Sequence, residues 1–333
     1  MAERRLLVVR LGSLGDIVHT FPAVAGLRES FPSAEIIWLT HPRWVELVAS
    51  SRLATEIWPV DSRDLGCVRR TLQKIRGGDW TAAIDYQGLW KSATLPFLGG
   101  VSRRIGFSAA TIREFGVPIL YTERVVCQAT HIADQNGELT LRTGAAKAVG
   151  KVALEVAAAD CELVRNQLQK QGATRYIVLS PGGGWRSKCW PTERFGALCQ
   201  KIRGELGIPC VINYGPGEES LVAAITAASG DARPVAYDGE MGPLMALLRG
   251  AECIVGGDTG PLHLGIALGA RGVALFGPTD PARNGPYPSQ QIVLRSPDAH
   301  TTYSRGDVPD ASLLALSVEK VFDAVCKSVG QNA

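Results

Sequence analysis

Short apolar and β-branched runs alternate with longer segments of helical periodicity along the chain. In the first half, the runs that predict strands are RLLVVRL ending at Leu11, EIIWLT (35–40), EIWPV (56–60), WTAAID (80–85) and RRIGF (103–107). Segments such as 17–31 and 68–76 separate these runs and predict helices. Because the runs are apolar on both faces, they indicate a parallel sheet covered by helices on each side.

The same alternation restarts in the second half. The runs there are RYIVLSPGGG (175–184), IPCVINYGPG (208–217), RPVAY (233–237), ECIVGGD (252–258) and GVALFGP (272–278). A polar stretch between about 160 and 174 separates the two patterns. The pattern predicts an α/β protein with two doubly wound domains, 1–165 and 174–310, and a final helix within 311–330. Sites in such sheets lie beyond the carboxyl ends of the strands, so two facing domains would form a cleft.

Composition restricts the class of protein. The 333 residues are 46% hydrophobic and 20% charged, with a net charge of +3, which fits a folded chain of two domains and does not indicate nucleic acid. The basic segments RRTLQKIR (69–76) and SRRIGF (102–107) favour an anionic partner for the first half. The eight cysteines form no C-x-x-C pair, which is typical of reduced thiols in the cytoplasm. No apolar run approaches the roughly 20 residues that span a bilayer, so we expect any membrane contact to be peripheral.

RLGSLGDIVHTFP (10–22) joins the first predicted strand to a helix. A dinucleotide fingerprint requires G-x-G-x-x-G, and only Gly12 and Gly15 are present, which disfavours a nicotinamide or flavin site. Asp16 is either the N-cap of the helix or a carboxylate that acts as a general base at the helix start. His19, one turn along, either packs against the fold or shares that chemistry.

Three later loops carry candidate ligand-binding groups. In SPGGGWRSKCWPTERF (180–195), flexible glycines and Lys188 suit phosphate oxygens, although a plain glycine turn is an equal alternative. In GGDTGPLHLG (256–265), bare N–H groups at residues 259–262 would form an anion site without a metal. YGPGEES (214–220) places two glutamates where they could hold ribose hydroxyls or complement a helix dipole. No D-x-D pair, which usually holds a diphosphate through a divalent metal, occurs in the chain.

Together these motifs resemble a known family. GDTGPLHLGIALG followed by ALFGPTDPARNGPY resembles the nucleotide-sugar signature of glycosyltransferase family 9, the ADP-heptose:lipopolysaccharide heptosyltransferases. RLGSLGDIVHTFPAV and PGGGWRSKCWP resemble its N-terminal and mid-chain loops, and AAIDYQGLWKSATL (82–95) is most similar to the heptosyltransferase I branch.

The resemblance implies a GT-B fold of two Rossmann-like domains, with the acceptor on 1–165, the nucleotide sugar on 174–310, and 311–330 crossing back to the first domain. It implies metal-independent, inverting transfer of heptose from ADP-heptose to the Kdo region of Kdo-lipid A. We expect a monomer without cofactor or nucleic acid, located in the cytoplasm and at the cytoplasmic face of the inner membrane.

The resemblance also implies roles for residues. Asp16 would be the catalytic base, Lys188 would contact the phosphates, Asp258 would contact heptose hydroxyls, and either Glu218 or Glu219 would bind ribose. The remaining implied donor contacts are Gly183, Ser187, Thr259, Gly260 and His263. The implied acceptor contacts are Gly15, Gln87, Lys91 and Arg113. The branch often has hydroxyl residues beside the phosphates, and in PGGGWRSK we expect Ser187 to replace them.

Other functions remain open at this stage. One is a family 9 enzyme that uses another ADP-sugar or a later core acceptor. A Rossmann oxidoreductase is disfavoured by the incomplete glycine fingerprint. A binding module without catalysis is disfavoured by the presence of Asp16 and Lys188.

Overall fold

The chain forms two compact units, and each has its own parallel sheet. The computed structural model describes residues 4–112, 114–288, 291–302 and 304–330. The units are Met1–Glu155 and Val156–Ala333. Each contains a six-stranded sheet in which all neighbouring strands run parallel.

The first sheet has the order β3-β2-β1-β4-β5-β6. Its strands are β1 (Arg5–Val9), β2 (Glu35–Thr40), β3 (Glu56–Pro59), β4 (Ala82–Asp85), β5 (Arg104–Phe107) and β6 (Glu123–Val125). Its helices are α1 (Leu14–Val18), α2 (Phe21–Ser30), α3 (Val45–Ser50), α4 (Leu65–Arg76), α5 (Trp90–Leu98) and α6 (Ile132–Arg142). Short 3₁₀ turns occupy Pro42–Trp44 and Val117–Leu120.

The centre of the first sheet is buried on both faces. Leu6, Leu7, Val8 and Val9 of β1 have no exposed surface, as expected for a central parallel strand between helix layers. The strand order reverses between β1 and β4, so the loops after these two strands leave the sheet in different directions and open a crevice. The predicted chemistry of the first unit lies on these loops.

The second sheet repeats this arrangement in the order β12-β11-β10-β7-β8-β9. Its strands are β7 (Ile177–Ser180), β8 (Cys210–Asn213), β9 (Val235–Tyr237), β10 (Cys253–Gly257), β11 (Gly272–Phe276) and β12 (Ile292–Arg295). Its helices are α7 (Ala158–Lys170), α8 (Thr192–Leu206), α9 (Glu219–Ala228), α10 (Met241–Gly250), α11 (Gly260–Ala267), α12 (Pro281–Asn284), α13 (Ala311–Leu314) and α14 (Val318–Gly330). Two 3₁₀ turns occupy Arg186–Lys188 and Gly230–Ala232.

The boundary between the two units lies after Glu155. In the second unit, α7 packs against α10 and buries Val164 and Leu168. The apolar face of α14 also lies in the core of the second unit, where it packs against α8, β10, β11 and β12. By its contacts, α14 therefore belongs to the second unit.

No helix among the described residues is long and apolar enough to cross a membrane.

Candidate active site

Asp16 lies in the first turn of α1, immediately after the central strand of the first sheet. Ser13 is the N-cap of this helix, and Asp16 occupies the third helical position. Asp16 Oδ2 accepts hydrogen bonds from Ser13 N at 3.1 Å and from Ser13 Oγ at 3.0 Å. The cap alternative for Asp16 therefore needs correction, because Asp16 supports the cap from within the helix and is not the N-cap itself.

A buried arginine holds the other oxygen of this carboxylate. Arg10 is only 5% exposed, and its Nη2 lies 2.7 Å from Asp16 Oδ1. Its Nη1 donates to the carbonyl of Tyr86, which follows β4. The Asp16 side chain itself remains 46% exposed. Arg10 thus balances the charge of the Asp16 carboxylate, and Arg10 and Ser13 together fix its orientation. The rest of the carboxylate faces solvent.

Sequence reasoning did not identify Arg10 as a functional residue. The available signal was a charged side chain directly after a fully apolar strand, where a buried charge must find a partner. Its partner stands six residues later in the glycine-containing turn.

A second buried carboxylate organises the loop after β4. Asp85 accepts hydrogen bonds from Tyr121 Oη at 2.7 Å, Ser92 Oγ at 2.8 Å, Gln87 N at 2.9 Å and Gly88 N at 3.2 Å. Burial raises the pKa of Asp85 above its ordinary value, although all four donors act in the opposite direction. The side chain of Gln87 in turn accepts a hydrogen bond from Leu11 N at 2.7 Å, which joins this loop to the Asp16 loop.

The other predicted acceptor residues of the first unit differ in placement. Gly15 lies in the first turn of α1, and its carbonyl accepts a hydrogen bond from His19 N at 2.9 Å. Lys91 is exposed on the first turn of α5. Arg113 lies outside the described residues. His19 is 5% exposed and packs edge-to-face on His131, with 5.3 Å between ring centroids, so the structure favours the packing alternative.

In the second unit, a lysine, an aspartate and a histidine form one buried cluster. Lys188 Nζ lies 2.7 Å from Asp258 Oδ2, and His263 Nε2 lies 3.0 Å from Asp258 Oδ1. The ammonium also lies 4.4 Å from the centre of the Trp185 ring, a cation–π contact. Burial alone would raise the pKa of Asp258, but the His263 hydrogen bond and the Lys188 charge outweigh it and hold that pKa well below its ordinary value.

The start of α11 adjoins this cluster. Thr259 is the N-cap of the helix and Gly260 is its first residue, with Pro261 next. The Thr259 hydroxyl is buried and has no hydrogen-bond partner among the described residues. Since the first N–H groups of a helix have no partner within it, this end presents unsatisfied donors next to a buried ammonium.

The two candidate ribose glutamates have different surroundings. Glu218 is half-buried and turns toward the glycine-rich loop, where a Cβ at Gly182 would lie 2.1 Å from its Oε1. Its Oε2 accepts a hydrogen bond from Gly215 N at 2.8 Å. Glu219 is exposed, and its Oε1 accepts from Gly217 N at 3.2 Å. The structure thus places Glu218, and not Glu219, against the loop that leads to Lys188.

The remaining two donor candidates lie on that loop. A Cβ at Gly183 would lie 3.0 Å from Cys189 Sγ, so a larger residue would press on that thiol, next to Lys188 in the chain. Ser187 is buried, and its Oγ accepts a hydrogen bond from Gly306 N at 3.4 Å, while its N donates to the Gly306 carbonyl at 3.1 Å. The serine predicted to contact phosphate is therefore engaged by the segment around Gly306.

The chemistry of the two groups is complementary. The first unit presents an oriented carboxylate that can accept a proton, and the second presents positive charge and N–H donors that suit an anion. Within 4–112, 114–288, 291–302 and 304–330, no group of three or more His, Cys, Asp or Glu side chains could hold a metal ion.

The chain is similar to known proteins across most of its length. The model of glycosyltransferase family 9 (heptosyltransferase) matches residues 68–308. The lipopolysaccharide heptosyltransferase 1 of Pseudomonas aeruginosa is 28% identical over 304 residues, which cover 88% of this chain and 84% of that protein. The protein of the same name from Escherichia coli K12 is 26% identical over 313 residues, with coverages of 88% and 94%. Proteins named lipopolysaccharide heptosyltransferase 2 and 3 also match.

Solved structures share the fold. The family 9 glycosyl transferase of Veillonella parvula superposes with a TM-score of 0.84 at 23% identity and covers 98% of both chains. The Escherichia coli heptosyltransferase WaaC with ADP superposes with a TM-score of 0.75 at 23% identity and covers 99% of this chain and 100% of its own. The predicted GT-B fold is therefore confirmed. Because the family model spans most of the sequence, the chain belongs to glycosyltransferase family 9, the heptosyltransferases.

Proposed function

We propose that the protein transfers L-glycero-D-manno-heptose from ADP-heptose to the Kdo region of the lipopolysaccharide inner core, with inversion at the anomeric carbon. Membership of a glycosyltransferase family excludes the oxidoreductase alternative. The observation that carries the proposal is the Asp16 carboxylate, which is fixed by Arg10 and Ser13 and still open to solvent. A general base needs this combination of fixed orientation and access to the substrate hydroxyl.

The reaction follows from these groups. A Kdo hydroxyl attacks C1 of heptose from the face opposite ADP while Asp16 accepts its proton. The bond from C1 to the ADP oxygen breaks, and its electron pair leaves with the diphosphate. Since an ionised carboxylate is a weak base, proton transfer occurs late, when the sugar already carries positive charge.

The second unit stabilises the leaving diphosphate. Lys188 supplies a buried positive charge, and Thr259 and Gly260 supply donors at the start of α11. Groups of this kind, aimed at the place where negative charge develops, act without a metal ion.

Asp258 and Glu218 contact the sugars of the donor. Both oxygens of Asp258 are already bonded, to Lys188 and to His263. Each carboxylate oxygen can accept more than one hydrogen bond. Asp258 can therefore accept a further hydrogen bond from a heptose hydroxyl while it keeps its bonds to Lys188 and His263. We assign the ribose hydroxyls to Glu218, because it is the glutamate that turns toward the Gly182 loop.

The first unit holds the acceptor. Lys91 and Arg113 supply positive charge for the Kdo carboxylate and the lipid A phosphates. Gly15 precedes Asp16, and Gln87 joins the loop after β4 to the Asp16 loop through Leu11 N. The relatives are named for lipopolysaccharide, whose lipid anchor places the acceptor at a membrane. We therefore propose that the protein meets its acceptor at the cytoplasmic face of the inner membrane. We also propose that it is a cytoplasmic monomer.

The test uses Asp16→Asn, which preserves the shape of the side chain but cannot accept a proton. Purified wild type and variant are incubated with ADP-heptose and Kdo-lipid A, and the products are identified and quantified by mass spectrometry. We expect Asp16→Asn to lose at least about a hundredfold in kcat while ADP-heptose binding changes little. Wild-type turnover by this variant would overturn the mechanism.

A family 9 enzyme acting on a later core acceptor is the second candidate, favoured by the matches to proteins named heptosyltransferase 2 and 3. The same assay separates the two when heptosylated core replaces Kdo-lipid A. A product formed only from heptosylated core would support this candidate and reject Kdo as the acceptor. Transfer from another ADP-sugar in place of ADP-heptose would reject ADP-heptose as the donor.

A further inference from the structure

One side of the first unit exposes several large apolar side chains. Phe115 is 98% exposed and Ile119 is 72% exposed, both in the segment that precedes β6. Trp90, Phe97 and Leu98 of α5 are each more than 40% exposed. Single exposed apolar residues are ordinary on a protein surface, but a joined set of them marks a contact surface.

Contacts join the two segments that carry these side chains. A Cβ at Gly116 would lie 3.1 Å from the Trp90 ring, so the segment that carries Phe115 lies against α5. Arg104 connects the other end, because its guanidinium lies 5.4 Å from the Phe97 ring centre and its Nε donates to the Leu120 carbonyl at 2.7 Å. We call Trp90, Phe97, Leu98, Phe115 and Ile119 the apolar face.

Positive charges border the apolar face. Arg76 Nε donates to the Leu98 carbonyl at 3.2 Å, and Arg124 Nε donates to the Pro118 carbonyl at 2.9 Å. Together with Arg104, these guanidiniums bond to backbone carbonyls, and none forms an ion pair with a carboxylate in the part of the chain that the structure describes. Glu114, whose Oε2 accepts from Trp90 N at 2.8 Å, is the opposing charge.

We propose that the apolar face docks on a phospholipid bilayer with anionic headgroups. Phe115 and Ile119 enter the boundary between headgroups and acyl chains, Trp90 lies at headgroup level, and the arginines contact lipid phosphates. Fixed cations beside protruding apolar tips complement such a membrane better than a neutral protein groove. The purpose of this docking rests on the proposed function, since Lys91 stands on the same helix as Trp90 and a lipid-linked acceptor must be met at a bilayer.

The experiment measures sedimentation of the full chain with vesicles of phosphatidylcholine, with and without phosphatidylglycerol. We expect wild type to bind the anionic vesicles, and the double variant Phe115→Ser with Ile119→Ser to bind about tenfold more weakly. The matched control changes Leu163 and Val308, exposed apolar residues of the second unit, to serine and keeps wild-type binding. Arg76→Gln with Arg124→Gln weakens binding to anionic vesicles and leaves binding to neutral ones unchanged.

Two outcomes overturn the docking proposal: wild type that does not sediment with anionic vesicles, or equal sedimentation of wild type and the Phe115 and Ile119 variant. The first result would indicate that the apolar face binds a protein and not a membrane. Transfer to a water-soluble Kdo oligosaccharide tests the proposed function separately. Vesicle binding without any transfer rejects the proposed function alone, and transfer without vesicle binding rejects the docking alone.

Discussion

At the scale of single residues, Arg10 and Asp16 act as one unit. Arg10 holds Asp16 Oδ1 at 2.7 Å and is itself held by the Tyr86 carbonyl. In Arg10→Met, Asp16 loses its anchor while the donor-binding residues of the second unit are untouched. We expect kcat to fall about a hundredfold with little change in KM for ADP-heptose, because a displaced catalytic group affects the chemical step. Steady-state kinetics with ADP-heptose and Kdo-lipid A measure both quantities.

The control for this prediction is a double-mutant cycle. If Arg10 acts through Asp16, then Asp16→Asn combined with Arg10→Met is no slower than Asp16→Asn alone. Losses that multiply would show that Arg10 has an independent role. A melting curve of Arg10→Met checks that removing a buried charge has not unfolded the first unit.

The difference between these two residues shows what sequence can reveal about the site. Asp16 is visible in the sequence because it follows a glycine where a buried strand turns into a helix. Arg10 gives a weaker local signal, a charge directly after an apolar strand, and its second partner is the Tyr86 carbonyl, 76 residues away in the loop after β4. The sequence also could not distinguish Glu218 from Glu219. The two side chains are adjacent in the chain, and only the fold shows that Glu218 is the one that lies against the Gly182 loop.

At the scale of secondary-structure elements, Asp85 connects the end of β4 to α5. Burial raises its pKa, so in the folded protein it binds a proton at a pH where the unfolded chain has released it. Folding stability therefore falls as pH rises from about 4, near the ordinary pKa of aspartate, through the folded pKa. Asp85→Asn cannot titrate and lacks this loss. We expect the free energy of unfolding of Asp85→Asn to increase relative to that of wild type as the pH rises above about 4.

Urea denaturation of both proteins at several pH values measures this difference. Tyr121→Phe serves as a second variant, because it removes a donor that lowers the pKa of Asp85. Its stability should continue to fall to a higher pH than that of wild type. A difference between Asp85→Asn and wild type that is constant with pH would contradict the prediction.

Ten of the strands could be predicted because they are apolar runs long enough to be recognised. The two that were missed, β6 and β12, are short strands at the edges of their sheets. Each pairs on one side only and is partly exposed. The sequence of β6, ERV, has no apolar run, and the run in β12 (292–294) is only three residues long. The sequence also could not show which core α14 packs against. An amphipathic pattern reveals that a helix has a buried face but not what covers that face.

At the scale of the whole molecule, each unit has the parts of a separate domain. The second unit has its own sheet and a core that includes Val321, Phe322 and Val325 of α14. All the residues that we assign to ADP lie within it, whereas Asp16 lies in the first unit. Binding of the nucleotide and transfer of the sugar should therefore be separable by dividing the chain.

The chain divided after Glu155 tests this directly. We expect residues 156–333, expressed alone, to fold and to bind ADP within about 1 kcal/mol of the intact protein, a factor of about five in Kd, and to transfer no heptose. Isothermal titration calorimetry measures the affinity. In the fragment, Glu218→Gln should weaken ADP binding by about tenfold through the lost ribose contact, and Glu219→Gln should have little effect. A folded fragment that does not bind ADP would mean that the first unit supplies donor contacts, and an equal loss in both glutamine variants would reject Glu218 as the ribose ligand.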